Sequence, residues 1–437
     1  RVLDLSYVFA APYAGGLLAD LGAEVIKVEA PHRLDQSRTT FSPFLDNDVD
    51  GEHWDRAAVF HVVNRGKRSL ALDLSGEEGR DVLRGLVART DVLLENFTPR
   101  VMRGWGMTYA QLAELNPALI MLSNTGFGST GPWSEFRAQG TTLEATMGLT
   151  RHAGYDDGPP CKVGQSYPDF LACWAGLLAI MAALVERERT GLGQWIDLGM
   201  YQLGAAVVPE ALLACQLGEA LAPRGPSAEP DALLSATVRA EGEDRWLAVT
   251  AFAARQLRAL GEVVGAAPGE DRVAALAAWA RTRDAWDAAS ALQEAGVPAG
   301  PVLDARGLLD DPQLRARGFY EAVEFPDGAA RALIGRPFRW RGETTSVRVR
   351  GCGPRFGEAA AWALGDVRGL DAGRAGELRE RGVVADRPVG VAPVAAADVA
   401  ELVRSGMVAR IDEDFREVIA VRHRTEERWD RTSTTWS

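Results

Sequence analysis

The chain has 437 residues and a formal net charge of −12, with 47% of its residues apolar and 25% charged. That length suits two to three domains with a sizeable core, and the balance excludes wholesale disorder, a fibrous repeat or a small disulfide-stapled scaffold. The acidic excess repels a phosphate backbone, so no nucleic-acid partner is expected.

Residues 2–5 (VLDL) read as a strand, 14–21 as a short helix closed by Gly22, and 24–29 (EVIKVE) as a second strand. A strand, a helix and a strand within about 30 residues make a βαβ unit with parallel neighbours. The pattern continues with a strand at 69–74 (SLALDL), a helix at 76–90 and strands at 91–97 (DVLLENF) and 118–123 (ALIMLS). The longest apolar stretch, 170–185, runs into Glu-Arg-Glu-Arg and reads as a buried helix rather than a span, so no membrane partner is expected. A Gly-rich turn at 187–194 leads to a strand at 195–198 and a helix at 201–217. Residues 220–230, rich in Pro, Gly, Ser and Ala, read as a boundary. Beyond it lie a strand at 246–250, Ala-rich helices at 252–264, 271–281 and 284–295, and a tight turn at 296–302.

The expected organisation is a large α/β, Rossmann-like domain over 1–200, a linker over 201–230, a small α+β domain over 231–330, and a return to the large domain with a tail over 331–437. Strand-like sequence follows Arg1 directly, without a charged leader and an apolar h-region, and a cytoplasmic location is expected.

The chemistry-bearing motifs are mostly negative. G-x-G-x-x-G is missing after the first strand, and no P-loop or G-x-S-x-G elbow occurs. Cys161, Cys173, Cys215 and Cys352 are scattered and the histidines give no ligand spacing, so neither a disulfide framework nor a metal site is expected. One stretch stands out. A Gly/Pro-rich loop, 156–169 (DDGPPCKVGQSYPD), delivers Asp169 to the start of the most apolar helix. As a helix cap, Asp169 would accept first-turn amide hydrogen bonds; as a nucleophile, it would sit beside free N–H groups able to stabilise an oxyanion.

Five blocks in order, 2–31 (VLDLSYVFAAPYAGGLLADLGAEVIKVEAP), 64–73 (NRGKRSLALD), 91–99 (DVLLENFTP), 156–169 and 186–197 (ERERTGLGQWID), resemble the class III CoA-transferase family. That group contains formyl-CoA transferase, carnitine CoA-transferase and alpha-methylacyl-CoA racemase. Residues 296–301 (GVPAGP) and 364–384 are similar to its later part, so the likeness spans about 1–385. The resemblance implies coenzyme A, as an acyl-CoA co-substrate, a carboxylic acid as the second substrate, no metal, an interlocked homodimer, and Asp169 as the catalytic nucleophile. It further implies Val8, Leu72, Asn96, Phe97, Arg103 and Arg137 at the CoA site, with Arg33, Arg38, Lys67 and Arg68 as weaker cofactor-binding candidates.

Departures from the family narrow the activity. The racemase branch pairs its aspartate with an upstream histidine, where this chain has Gln139, and His152 keeps racemisation as the alternative. The formyl-CoA/oxalate branch has a glutamine where Phe9 stands and a glycine run not found between 220 and 260. An inert acyl-CoA-binding subunit of a heteromeric transferase is a third reading, against which Asp169 argues. Should Phe9, Tyr13, Trp54, Trp105 and Trp133 line the acyl pocket, a bulky or apolar acyl group is favoured over a small dicarboxylate.

Overall fold

Apolar side chains alternate between two faces along each strand of the central sheet. Val2, Val25, Val92 and Ile120 enter one core, whereas Leu3, Ile26, Leu93 and Met121 enter the other. A sheet buried on both faces needs helices on both, which is the requirement of a doubly wound parallel sheet. The computed structural model describes residues 1–39, 42–155, 158–164, 167–219, 231–340 and 347–411. It divides into two compact units, one of residues 1–140, 166–203 and 318–437, the other of 141–165 and 204–317.

The first unit carries strands β1 (Val2–Asp4), β2 (Val25–Glu29), β3 (Arg68–Leu72), β4 (Val92–Glu95), β5 (Ile120–Thr125) and β6 (Trp195–Gly199). They lie parallel in the order β3-β2-β1-β4-β5-β6. This is the strand order of the dinucleotide-binding fold, and its crossovers change direction between β1 and β4. The helix Glu77–Val87 packs on one face, while Ala10–Asp20 and Tyr167–Thr190 pack on the other. The helix after β1 begins at Ala10, four residues before its expected start. Pro12 fits the first turn, where a missing N–H costs nothing, and Gly15 is needed inside the helix. A Cβ there would stand 3.0 Å from both Asp4 Oδ2 and Lys67 Nζ.

Charges buried under this helix are paired. Lys67 Nζ meets Asp4 Oδ2 at 2.6 Å and Lys27 Nζ meets Asp35 Oδ2 at 3.1 Å, all with fully buried side chains. Arg38 grips Glu29 through two hydrogen bonds of 2.7 and 2.9 Å, reaches Asp55 at 2.6 Å and donates to the Pro354 carbonyl. Such pairs are tolerated in a low-dielectric interior only when both charges are also hydrogen-bonded.

The helix that carries Asp169 runs Tyr167–Thr190, starting before the expected residue 170 because Pro168 sits in its first turn. By length and composition it is apolar enough to cross a membrane. It differs from the buried helix read from sequence: Cys173, Gly176, Leu177 and Ile180 face the sheet, but Leu178 is 72% and Val185 is 69% exposed. The expected helix at 201–217 is two helices, Met200–Ala206 and Pro209–Leu217, because Pro209 opens the second.

Strands β7 (Leu234–Arg239), β8 (Trp246–Ala251) and β9 (Ala299–Val302) form an antiparallel sheet in the second unit. The helices Ala254–Val264, Arg272–Ala280 and Ala285–Glu294 share its core, close to the three helices read from sequence. Back in the first unit, β10 (Tyr320–Glu324) pairs with β11 (Ala330–Ile334), and β12 (Val384–Ala385) adds antiparallel to the β3 edge. The boundary at 220–230, the front of the D-G-P-P segment and the charged tail from 412 lie outside the described residues.

Candidate active site

In a doubly wound sheet the ligand crevice opens beyond the carboxyl ends of the strands, where the crossovers part. Here that place is flanked by the segment after β1, Leu5 to Phe9, and the segment after β4, Asn96 to Thr98. Asn96 joins them. Its Oδ1 accepts the Tyr7 N–H at 2.9 Å and its Nδ2 donates to the Tyr7 carbonyl at 2.8 Å, so one side chain satisfies both ends of one residue. Phe97 packs between the Tyr7 and Trp105 rings, with centroids 6.0 and 5.4 Å away.

Val8 lies in the same segment at φ 71°. A branched residue is rarely found in that left-handed region, which glycines occupy freely in nucleotide-binding turns. Its conformation is held from outside: the Val8 N–H donates to Asp35 Oδ1 at 3.1 Å, and Asp35 is fixed by Lys27 and by the Ser37 N–H at 3.0 Å. Strain of this kind concentrates at functional segments.

The other residues implied by the resemblance fall in three groups. Arg103 and Arg137 are exposed, Arg103 in an ion pair with Glu135. Leu72 is fully buried in the core below β3. Arg38 and Lys67 are also enclosed, 0% and 4% exposed, and their donors are taken by Glu29, Asp55, Asp4, the Pro12 carbonyl and Asn64. Burial pulls the Lys67 ammonium down to about 8 although Asp4 opposes it. Their donors are thus engaged inside the first unit, those of Lys67 at Asp4 and the first turn of the following helix and those of Arg38 at Glu29 and Asp55. Of the weaker candidates, Arg68 lies over the Trp362 ring, 4.3 Å from its centroid.

Asp169 stands in the first turn of Tyr167–Thr190, half-buried. Its carboxylate rests on Gly140, where a Cβ would come within 1.9 Å of Oδ2. Any larger residue at 140 would have to displace the carboxylate. Phe170, the next residue, packs edge-on against Phe9 and Tyr13 at 5.9 and 5.8 Å. Trp133 instead joins Phe127, Phe136 and Tyr201, with Phe136 stacked on it at 6.1 Å. Trp54 packs on His53. Among the described residues no group of three or more His, Cys, Asp or Glu is arranged to hold a metal ion.

A residue not singled out from sequence adjoins Asn96. Glu95 is 3% exposed and its Oε2 accepts the Phe97 N–H at 2.8 Å. Burial pushes its pKa up to about 7, against the pull of hydrogen bonds from Ser123 and Phe97. Strand alternation is the signal that places it, since Glu95 shares the face of Leu93.

The six parallel strands in this order define a doubly wound α/β protein, and the sequence lacks the glycine motifs of the nicotinamide and P-loop classes. Residues 1–360 match the family model described as CoA-transferase family III, and the chain belongs to that family. It is 32% identical to a succinate–glutarate CoA-transferase of Agrobacterium fabrum over 85% of this chain and 95% of the relative. It is 33% identical to a succinyl-CoA–D-citramalate CoA-transferase of Chloroflexus aurantiacus, over 75% and 83% of the two chains. A solved CAIB/BAIF family protein from Brucella suis shares the fold with a TM-score of 0.73 at 30% identity, covering 84% of this chain and 97% of that one. The chain is therefore a CoA-transferase, with a CoA thioester as co-substrate.

The raised pKa of Glu95 has a stability consequence. Between the ordinary glutamate value and about 7 the folded state binds a proton that the unfolded chain has released, so stability falls as pH rises through that window. Glu95→Gln removes the penalty. Its melting temperature relative to wild type is expected to be higher at pH 8 than at pH 4.5, corresponding to on the order of 3 kcal/mol, as measured by calorimetry at both pH values.

Proposed function

We propose that the chain moves CoA from an acyl-CoA thioester to a free carboxylic acid through covalent intermediates on Asp169. The observation that carries this reading is the Asp169 carboxylate in the first turn of its helix, pressed against Gly140 where no side chain intervenes. The first turn bears the unpaired amide N–H groups and the positive end of the helix, which suit an anionic nucleophile and the oxyanion it creates.

In the proposed cycle the carboxylate attacks the donor thioester carbonyl, expels CoA thiolate and becomes a mixed anhydride. The thiolate attacks the aspartyl carbonyl, releasing the donor acid and leaving an aspartyl-CoA thioester. The acceptor carboxylate attacks that thioester, giving a second anhydride and free thiolate. Attack of the thiolate on the acceptor carbonyl yields the product thioester and restores Asp169. Each step exchanges one acyl bond for another, so no external energy source enters. Asn96 and Phe97 are proposed to lie beside the CoA, with Val8 facing it from the first loop and Arg103 and Arg137 as the accessible cations for its phosphates.

The names of the relatives point to dicarboxylic acids, and we propose an acid of that class. The reading of an apolar acyl group rests on aromatic positions of which Tyr13 is buried on Phe170 and Trp54 packs on His53. A homodimer is part of the proposal, supported by the outer face of Tyr167–Thr190, whose Leu178 and Val185 are exposed among the described residues.

After incubation with succinyl-CoA and hydroxylamine, peptide mass spectrometry is expected to find a hydroxamate on Asp169 in wild type and none in Asp169→Asn. An unmodified Asp169 across a panel of acyl-CoA donors would overturn the covalent route. Gly140→Ala is expected to lower the transfer rate about 10²-fold through displacement of the carboxylate, as read in a steady-state CoA-transfer assay. Leu178→Glu is expected to convert a dimer into a monomer in light scattering.

A further inference from the structure

The sheet register lines up three side chains on one face: Glu95 on β4 pairs with Ser123 on β5, which pairs with Asp197 on β6. Ser123 Oγ accepts the indole N–H of Trp195 at 2.9 Å, so its own proton is available to Glu95, to which it is hydrogen-bonded. Glu95 in turn accepts the Phe97 N–H. Among the described residues no cation acts on this buried carboxylate. The charged group that faces it from a neighbouring strand is Asp197, whose oxygens accept the Ser129 N–H at 2.9 and 3.0 Å. The covalent cycle makes no use of Glu95, yet it touches the segment between Asn96 and the CoA site.

We propose that Glu95 is a positioning residue for bound CoA: held by Ser123, it clamps the Phe97 amide while Asn96 clamps Tyr7, and together they fix the shape of the crevice. This inference rests on the CoA-transferase reading above. Ionised, Glu95 accepts from Ser123 and Phe97 at once. Protonated, one of its oxygens must donate, and Ser123 Oγ, already accepting from Trp195, has to turn its own proton elsewhere. The bond accepted from Ser123 is then replaced by one donated to it, the bond from the Phe97 N–H loses its charged acceptor, and the clamp loosens. Because burial places this changeover near neutral pH, CoA affinity should carry its mark.

The test is calorimetric titration with free CoA from pH 6 to 8.5 on wild type, Glu95→Gln and Ser123→Ala. Glutamine is an isosteric donor at every pH and stands for the protonated form. Wild type is expected to weaken several-fold from pH 8 to pH 6 beyond the change due to the CoA phosphate, which Glu95→Gln shows alone. At pH 8 Glu95→Gln is expected to bind about tenfold more weakly than wild type, with the same rise in KM for the acyl-CoA and less than threefold change in kcat. Equal affinity and equal pH dependence in wild type and Glu95→Gln would overturn the inference and leave Glu95 a core residue. If Glu95→Gln does not fold, Ser123→Ala decides: a several-fold loss of CoA affinity supports the clamp, and unchanged affinity overturns it. Failure of wild type to bind CoA at all would overturn the transferase reading itself, and the inference with it.

Discussion

The crossovers leave the paired strands β1 and β4 in opposite directions, and the backbone beyond Leu5 runs on without sheet partners. Side chains must supply what the sheet cannot. Asn96 takes both polar groups of Tyr7, Asp4 takes the Ser6 N–H at 2.9 Å, Asp35 takes the Val8 N–H, and Lys27 donates to the Ser6 carbonyl. Three consecutive residues are thus immobilised from outside, including one at a backbone angle it would not choose. Lys67 and Lys27, the cations of this scaffold, are wholly enclosed, so their charges act on the loop rather than on solvent.

Two ways of burying a carboxylate occur in the first unit, and they have opposite consequences. Asp35 has Lys27 and Ser37 around it, and its pKa is lowered despite complete burial. Glu95 has hydrogen-bond donors but no cation among the described residues, and its pKa rises. The first arrangement is scaffolding. The second is the kind of uncompensated group that proteins keep only where it serves something other than stability, because an apolar residue would fold at least as well.

Much of this was legible along the chain. The six parallel strands of the large sheet are apolar runs between turn residues, and each lies within about two residues of its expected place, whereas β12 had no such expectation. The parallel arrangement followed from the βαβ spacing. Helix starts were less visible, because Pro12 and Pro168 read as breakers although a first turn accepts them, while Pro209 marked a real break that the long apolar run concealed. Enclosure of Arg38 and Lys67 was invisible for a different reason. Their partners come from distant positions, with Lys67 and Asp4 63 residues apart, and no local pattern reports a long-range ion pair. Asn96, Phe97 and Asp169 were singled out through family resemblance and, for Asp169, through its place at a helix start. Glu95 was passed over between them because charge at a strand end ordinarily means exposure.

The short β12 has a bearing on how the molecule is made. It closes the β3 edge by antiparallel pairing of Val384 with Leu72, a partner far away in sequence. While the protein emerges from the ribosome, β3 therefore lacks this partner until residues 384 and 385 have been synthesised. An open parallel edge is sticky, and contacts so remote in sequence form slowly. Closing of this edge thus waits on the synthesis of everything between β3 and β12.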